Sequence, residues 1–309
     1  MPSFEIRPFR RADRDQLATL VNRHAAAVMP GAAASVSTVL AQLEREPGEF
    51  IVDPWVAERR TLVAVQNGAL VAAALLLRYR ADPDVGDAFR DAGEIKWLLF
   101  NPMAPEDNPH WSDGHAAADG LMSACLRQLD AWGVRVGYAD GALPVPGVYG
   151  VPEQWPHVER LYARHGFVQE GETESIWMVD LVDIPAPGEP PLPDLAVRRL
   201  LGINGTRFTA HRDGSPVGYL EVELLDQAER HPQQGGLADI GNFSVLEEHR
   251  RCGVGGWLLA SAARWLRLGR VGRLMAYTWP SETDQVAFLG RHGFTEMTRT
   301  RKGWRRPCG

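Results

Sequence analysis

The sequence predicts a mixed α/β fold made of two tandem copies of one domain, each with a mixed central sheet flanked by helices. The phrase Arg-His-Gly-Phe occurs at residues 164–167 and again at 291–294. The same order of candidate elements precedes it both times, namely a hairpin, a strand, a helix, a strand and a helix, as a duplication requires. A length of 309 residues is also comfortable for two domains and long for one compact core.

Both candidate hairpins have a two-residue turn between apolar runs. Asn67-Gly68 lies between "TLVAV" and "ALVAAALLL", and Asp213-Gly214 lies between "RFTAH" and "PVGYLEVELL". Asn-Gly and Asp-Gly tolerate the positive φ angles that the tightest hairpin turns need. We therefore predict a strand on each side of both turns.

The elements that follow the hairpins also correspond. In the first copy a strand is predicted at 94–100, a helix in 116–133 and a short strand at 134–139. Their counterparts in the second copy are 238–245, 255–269 and 273–278. The first copy carries about 19 additional residues between hairpin and Gly-Phe, and it alone has room for two helices before the hairpin.

A proline-rich segment divides the copies. Residues 182–194 contain five prolines and show no apolar periodicity, which is typical of a stiff linker. We predict an N-terminal domain at 1–181, a linker at 182–194 and a C-terminal domain at 195–309.

Composition narrows the classes of function. The net charge of −6 gives no general attraction to nucleic acid or to an anionic membrane. The three cysteines are scattered, which suggests neither a disulfide framework nor a metal site. The N-terminus lacks a signal-peptide pattern, and the longest apolar run, 69–77, is too short to span a bilayer. We expect a soluble cytoplasmic protein with no metal; its oligomeric state stays open.

The most informative segment is "NFSVLEEHRRCGVGGWLL" at 242–259. A glycine-rich turn with two arginines leads directly into a helix, and such a turn can hold phosphate through free backbone N–H groups and the helix dipole. A Walker loop would need Gly-Lys-Ser/Thr, which the chain lacks. A dinucleotide loop would need a third glycine where Leu258 stands.

The segment resembles the pyrophosphate loop of the GNAT superfamily of N-acetyltransferases, Arg/Gln-x-x-Gly-x-Gly/Ala. Arg250, Gly253 and Gly255 occupy the three defined positions, and Arg-His-Gly-Phe resembles the Gly-Phe corner of that family. The resemblance covers nearly the whole chain as two copies and is closer in the second. The tandem architecture is similar to that of mycothiol synthase, an analogy that does not fix the substrate.

The resemblance implies an acetyl-CoA-dependent N-acetyltransferase in which a primary amine attacks the thioester directly. Acetyl-CoA would be the co-substrate, and the acceptor would be a small-molecule or peptide amine. A strand-end backbone N–H facing the thioester carbonyl would stabilise the oxyanion by roughly 3–4 kcal/mol. The implied coenzyme-binding residues are Phe243, Ser244 and Val245 at the strand end and Arg250, Arg251, Gly253, Val254, Gly255 and Gly256 in the loop.

The same resemblance suggests catalytic candidates. Asp239, six positions before Val245, stands where a family member would carry its general base; a solvated acidic residue at a strand start explains it as well. The position of the family's acid tyrosine holds Leu289 in the second copy and Tyr162 in the first. Because the leaving thiol is already acidic, one expectation is that the second copy works without a general acid. The other is that it uses Tyr277 or Tyr219, both of which also suit packing roles.

The first copy has no Arg-x-x-Gly-x-Gly and carries Glu106, Asp107 and Asp113 at the corresponding corner. These acidic residues would repel a pyrophosphate, and Asp113 suits a helix N-cap, so we expect a degenerate copy that serves as scaffold or binds acceptor. Glu221 and Glu223 could attract a cationic amine, although a solvated strand face explains them equally. A non-catalytic acyl-CoA-binding or sensor protein is the alternative function.

The remaining singled-out side chains are interpreted as structural. His165 and His292 match by position in the repeated corner, which favours a shared structural role. His249 precedes the loop as a solvated residue. Cys252 lies inside the loop, but no His/Asp pattern supports a nucleophile, and direct attack by an amine needs none.

Overall fold

A computed structural model describes residues 4–44, 55–101, 114–225 and 236–307. It confirms the predicted mixed α/β class. The chain forms two compact units, one comprising 1–173 together with 299–309 and the other comprising 174–298.

The first unit is built on a seven-stranded sheet in the order β1-β2-β3-β4-β5-β15-β7. Neighbouring strands are antiparallel except for the parallel β4–β5 pair. Its strands and helices are β1 (Glu5–Pro8), α1 (Arg14–Val28), α2 (Val36–Glu44), β2 (Val56–Gln66), β3 (Ala69–Tyr79), β4 (Ala92–Phe100), α3 (Gly114–Trp132), β5 (Val136–Ala139), β6 (Val151–Pro152), α4 (Pro156–Arg164), β7 (Val168–Gln169) and β15 (Trp304–Pro307).

Within its described residues, the second unit repeats this plan but has no counterparts of α1 and α2. Its strands run in the order β9-β10-β11-β12-β13-β8-β14. Helix α5 packs over the sheet and supplies Leu258, Leu259 and Leu266 to the buried core. The elements are β8 (Thr173–Asp180), β9 (Leu195–Gly202), β10 (Gly205–Arg212), β11 (Ser215–Leu225), β12 (Gly236–Val245), α5 (Val254–Leu268), β13 (Val271–Thr278), α6 (Thr283–Arg291) and β14 (Thr295–Arg301).

Both predicted hairpins are confirmed. Asn67 and Gly68 have φ angles of 51° and 77°, and Asp213 and Gly214 have 49° and 80°. Positive φ at both central residues is the geometry that Asn-Gly and Asp-Gly turns adopt between twisted antiparallel strands. The turns fix the β2–β3 and β10–β11 pairings.

The repeated Arg-His-Gly-Phe ends a helix in each copy, α4 in the first and α6 in the second. The N–H of Phe167 bonds the carbonyl of Tyr162 at 3.0 Å, and the N–H of Phe294 bonds that of Leu289 at 3.1 Å. Gly166 and Gly293 adopt φ angles of 84° and 82°. Each glycine N–H also bonds the carbonyl three residues before it, at 3.1 Å for Gly166 and 3.2 Å for Gly293. These are Schellman motifs, in which a left-handed glycine reverses the chain and a hydrophobic residue packs behind it.

One strand in each unit comes from a distant part of the sequence. Between β5 and β7 lies β15, the last strand of the chain. Between β13 and β14 lies β8, which follows the first Gly-Phe corner. The compact units therefore differ from the two sequence repeats, because each sheet includes a strand from the other repeat. The predicted boundaries 1–181, 182–194 and 195–309 follow the repeats.

The proline-rich segment packs against the second unit. Ile184 is buried, and the guanidinium of Arg267 donates to its carbonyl at 2.7 Å. The indole N–H of Trp257 donates to the carbonyl of Gly188 at 3.2 Å. These residues of the predicted linker therefore lie along α5 and contact it.

Among the described residues, no helix is both long and apolar enough to cross a membrane.

Candidate active site

The site in the second unit begins where β12 and β13 separate. Their parallel pairing runs only from Gly236–Val271 to Asp239–Met275. Gly241 is an extra residue opposite the Glu221–Val222 step of β11, and this bulge re-aims the end of β12. Residues 243–245 remain paired with β11 on one edge. On the other edge, backbone groups of alternate residues point into the gap between the strands.

The glycine-rich turn follows β12 and ends at the start of α5. A 3₁₀ turn at Glu247–His249 leads to Arg250, and Gly253 is the N-cap residue with a φ of 86°. Arg251 has a φ of 60°, which is uncommon for a residue with a side chain. Since α5 starts at Val254, the N–H groups of its first turn have no acceptor within the helix.

The two glycines that open α5 lie directly on an aromatic layer. A Cβ atom added to Gly255 would lie 2.9 Å from Cζ of Phe243, and one added to Gly256 would lie 2.7 Å from Nε2 of His292. The rings of Phe243 and Phe288 are 5.0 Å apart, and those of Phe288 and His292 are 4.2 Å apart. The loop can approach this layer because it has no side chains there. His292 packs as the repeat suggested.

The two arginines of the loop differ in their environments. Nε of Arg250 donates to the carbonyl of Val245 at 2.9 Å and braces the corner against the strand end. The side chain of Arg251 is 89% exposed and lies 4.0 Å from Asp284, which leaves its charge available to an incoming anion. Cys252 is an exposed free thiol in the same loop.

The structure brings the two catalytic candidates together. The hydroxyl of Tyr277 hydrogen-bonds the carboxyl group of Asp239, whose buried Oδ1 has no hydrogen-bond partner. Burial, and then the negative charge of Glu223, raise the pKa of Asp239 to about 6, against which the Tyr277 hydrogen bond acts. Glu223 is exposed and lies opposite Asp239 in the β11–β12 register. A carboxyl group that titrates near neutrality is suited to exchange protons.

The positions considered for a general acid are less suited to proton transfer than Asp239 is. Burial raises the pKa of Tyr277 above its usual value, as do the charges of Asp239 and Glu174. The guanidinium carbon of Arg207 lies 4.5 Å from the centroid of the Tyr219 ring, so Tyr219 makes a packing contact. Leu289 is buried in the core.

The first unit differs at the matching positions. Tyr162 is fully buried, its hydroxyl donates to the carbonyl of Asp140 at 2.8 Å, and burial raises its pKa well above the usual value. Glu94 stands six positions before Phe100, as Asp239 stands six before Val245. It is buried, accepts a hydrogen bond from Tyr79 and lies 3.4 Å from Nζ of Lys96. The pKa of Lys96 is raised although burial opposes this, because Glu94 and Asp140 are both near. Glu94 is therefore an ion-pair partner.

Glu106, Asp107 and Asp113, the acidic residues of the corresponding corner in the first copy, lie outside the described residues.

Glu221 does not belong to a solvated face, which corrects one of the two sequence interpretations. It is fully buried and accepts hydrogen bonds from Arg207 at 2.6 Å, Asn242 at 2.7 Å and the N–H of Ile203 at 3.0 Å. Burial acts to raise its pKa, but these donors hold it below the usual value. Glu221 joins β10, β11 and the bulge, whereas Glu223 remains at the surface.

Across the described ranges, His, Cys, Asp and Glu form no group of three or more that could hold a metal ion.

Comparison with known proteins agrees with this geometry. Residues 178–294 match the model of the acetyltransferase (GNAT) family. That range contains β12, the glycine-rich loop, α5, Asp239 and Tyr277. No curated protein matches the chain.

Solved structures match over nearly its whole length. A tandem GNAT protein from the clavulanic acid biosynthesis pathway has a TM-score of 0.63 at 16% identity, covering 99% of both chains. A GCN5-related N-acetyltransferase from Sphaerobacter thermophilus has a TM-score of 0.60 at 15% identity, covering 98% of this chain and 95% of that one. A GCN5-related glucosamine N-acetyltransferase region of a fungal GH3 β-N-acetylglucosaminidase has a TM-score of 0.61 at 14% identity, covering 98% of this chain and 38% of that one. The fold of the chain is therefore that of these tandem structures, and residues 178–294 match the acetyltransferase (GNAT) family.

Proposed function

We propose that the protein is an acetyl-CoA-dependent N-acetyltransferase whose active site lies in the second unit. The observation that carries the proposal is the position of Asp239. It is the last residue of β12 in register with β13, it lies two residues before the bulge at Gly241, and its pKa is near neutrality. A proton acceptor thus stands at the mouth of the gap that leads to the glycine-rich loop.

The residues present fit a coenzyme A moiety. The first turn of α5 offers backbone N–H groups and a positive helix end to a pyrophosphate, and Arg251 adds an exposed positive charge. The absence of side chains at Gly255 and Gly256 keeps the loop against its aromatic support. The open edge of residues 243–245 offers backbone donors and acceptors to amides.

The reaction transfers an acetyl group from sulfur to nitrogen. Acetyl-CoA supplies the acetyl group as a thioester; a bond forms between the acceptor nitrogen and the carbonyl carbon, and the carbon–sulfur bond breaks. Asp239, ionised above a pH of about 6, takes the proton that the ammonium loses before it attacks, directly or through a water; the second proton, which the nitrogen loses as the amide forms, passes to solvent. A backbone N–H at 243–245 that points into the gap supports the developing oxyanion.

Tyr277 positions Asp239 in this proposal. Its hydroxyl donates to the carboxyl group and favours the ionised form. As an acid it would be weaker than the departing thiol, whose ordinary pKa of about 8.5 lies below the raised pKa of Tyr277. The thiol can therefore leave as a thiolate that solvent protonates, which accounts for a second copy with Leu289 in place of the family tyrosine.

The acceptor is proposed to be a primary amine that arrives as an ammonium ion. Glu223 and Asp239 lie opposite each other across two strands, and two carboxylates at the site mouth attract a cation.

Turnover of acetyl-CoA against a panel of primary amines, followed as free thiol, tests the proposal. We expect Asp239→Asn to lower kcat by about 100-fold while acetyl-CoA binding is kept, because only the proton acceptor is lost. Asp213→Asn, at the exposed β10–β11 turn, is the matched control and should retain full activity.

The alternative is a non-catalytic acyl-CoA-binding or sensor protein, which Leu289 at the tyrosine position favours. Tight acetyl-CoA binding without thiol release across the panel would select it. Equal activity of the two variants would instead show that Asp239 is not the proton acceptor.

A further inference from the structure

The turn between β9 and β10 carries exposed apolar side chains close to the candidate active site. Ile203, in the turn, is 83% exposed, and Leu200, three residues before it, is 54% exposed. A two-residue turn joins these strands, whereas α1 and α2 lie between β1 and β2 of the first unit. Exposed apolar side chains that lie together mark binding surfaces, whereas single ones are ordinary.

The turn folds over β11. A Cβ atom added to Gly202 would clash with Oε1 of Glu221, and one added to Gly205 would lie 3.1 Å from Cα of Glu223. Gly205 also has a φ of 112°, which favours glycine. The missing side chains therefore allow the turn to lie directly against the two glutamates.

A buried hydrogen-bond network holds the turn at the bulge of β12. Oε1 of Glu221 accepts from the N–H of Ile203 at 3.0 Å, and its Oε2 accepts from Asn242 at 2.7 Å. A Cβ atom added to Gly241 would lie 3.3 Å from Cβ of Asn204. The turn therefore lies at the bulge, two residues beyond the proposed proton acceptor.

The strand register places Leu200 and the carboxyl groups on one face of the sheet. Leu200 pairs with Arg207, which pairs with Glu221. Paired residues share a face, and so do alternate residues of one strand, so Glu223 and its partner Asp239 lie on this face too. It is the face opposite α5, because the residue between the two glutamates belongs to the core beneath that helix.

Leu201 lies on the other face. It is 91% exposed, but it pairs with Thr206, which pairs with Val222 of the core beneath α5. An apolar side chain of similar exposure therefore lies one residue away from Leu200 without facing the carboxyl groups.

The two parts of this surface favour different parts of a ligand. Glu223 and Asp239 attract a cation and repel an anion. Ile203 and Leu200 favour an apolar group, because contact would remove their exposed surface from water. The guanidinium of Arg207 on the same face is paired with Glu221 at 2.6 Å. A molecule with an ammonium group at one end and an apolar chain matches both parts.

We propose that the acceptor is a hydrophobic primary amine, with its ammonium group at Glu223 and Asp239 and its alkyl or aryl chain against Ile203 and Leu200. This inference rests on the proposed function, because it names the acceptor class of the same site. Amines that are polar throughout, such as amino sugars, are then poor acceptors. Amines with a carboxylate beside the nitrogen are poor acceptors as well.

Methyl NMR of the full-length protein, labelled at the isoleucine δ1 carbons and saturated with coenzyme A, tests the binding without turnover. Hexylamine is the probe, and it should shift the Ile203 signal saturably; Ile203→Val identifies that signal. Ethylamine, with the same charge on a shorter chain, should bind about tenfold or more weakly, because each buried CH₂ group strengthens binding about fourfold. Hexanoate, with a similar chain and the opposite charge, should give no saturable shift.

Variants compared by calorimetric titration separate the chain from the charge. Ile203→Ser should weaken hexylamine binding about fivefold and leave ethylamine binding unchanged, because it removes only apolar contact area. Leu201→Ser, on the other face, is the matched control and should bind both amines as wild type does. Glu223→Gln should weaken both amines to a similar degree, because both carry the same charge. Circular dichroism of each variant checks that folding is unchanged.

Three results would overturn the proposal: equal affinities for hexylamine and ethylamine, saturable binding of hexanoate at Ile203, and equal weakening in Ile203→Ser and Leu201→Ser. Thiol release from acetyl-CoA distinguishes its failure from that of the proposed function. If both amines are acetylated with the same kcat/KM, the proposed function holds and this inference is wrong. If hexylamine binds at Ile203 and no amine is acetylated, the proposed function is wrong and the site remains one for binding hydrophobic amines.

Discussion

Glu223→Gln should lower the pKa of Asp239. The two carboxyl groups face each other across β11 and β12, and the charge of Glu223 is one of the causes that raise the pKa of Asp239 to about 6. Directly opposed side chains are about 5 Å apart. At that distance, with an effective dielectric constant of about 60 for an exposed partner, the repulsion is about 1 kcal/mol.

A repulsion of about 1 kcal/mol corresponds to about 0.7 pKa unit, so Glu223→Gln should move the pKa of Asp239 from about 6 toward about 5. Burial of Asp239, which is the larger cause, is unchanged by the substitution. The assay is a carbon-13 NMR titration of protein labelled at the aspartate carboxyl groups, with Asp239→Asn identifying the signal. It needs neither coenzyme nor acceptor.

Asp213→Asn provides the control, because it removes one negative charge at an exposed turn where asparagine suits the φ of 49°. The pKa of Asp239 should not move in that variant. An unchanged or raised pKa in Glu223→Gln would refute the electrostatic account of the site.

Three further predictions follow from the described contacts. Tyr277→Phe removes a hydrogen bond that favours the ionised carboxylate, so the same NMR titration should show the pKa of Asp239 rising above about 6; a fall would contradict the positioning role. His24 is buried with its pKa lowered from 6.5 to about 4, so its stabilising effect is present above pH 6.5 and is lost as pH falls toward 4. Urea unfolding at pH 7 and pH 5 should show a loss of about 2 kcal/mol from this residue, which His24→Asn would lack; equal acid sensitivity of the two proteins would exclude the effect. Glu221→Ala should cost about 3 kcal/mol in urea unfolding because it leaves the partly buried Arg207 without its partner, whereas Glu223→Ala at the exposed neighbouring position should cost less than about 0.5 kcal/mol; similar losses would show that the buried network contributes little.

Features fixed by local chemistry could be predicted from the sequence. Asn67-Gly68 and Asp213-Gly214 allow the backbone angles of tight turns, and Gly166 and Gly293 allow those of a helix stop. The glycine-rich loop was recognisable for the same reason.

Features fixed by distant pairing could not be predicted. Strand β8 is mostly buried between Ser175 and Val179, a pattern that suits a place in either sheet, so its exchange left no local signal. Glu221 is buried because β10 brings Arg207 and the bulge brings Asn242, and neither contact can be read from strand periodicity. The hydrogen bond between Asp239 and Tyr277 depends in the same way on the parallel register of β12 and β13.

The central claim is that the second unit holds the coenzyme at the start of α5. Calorimetric titration of acetyl-CoA into wild-type protein, Gly255→Glu and Gly290→Glu tests it most directly. A side chain at Gly255 would meet Phe243 at 2.9 Å, whereas one at Gly290 meets nothing within 4 Å. We predict one site per chain in the wild type and in Gly290→Glu, and none in Gly255→Glu. Two sites per chain in the wild type, or binding that survives in Gly255→Glu, would contradict the account.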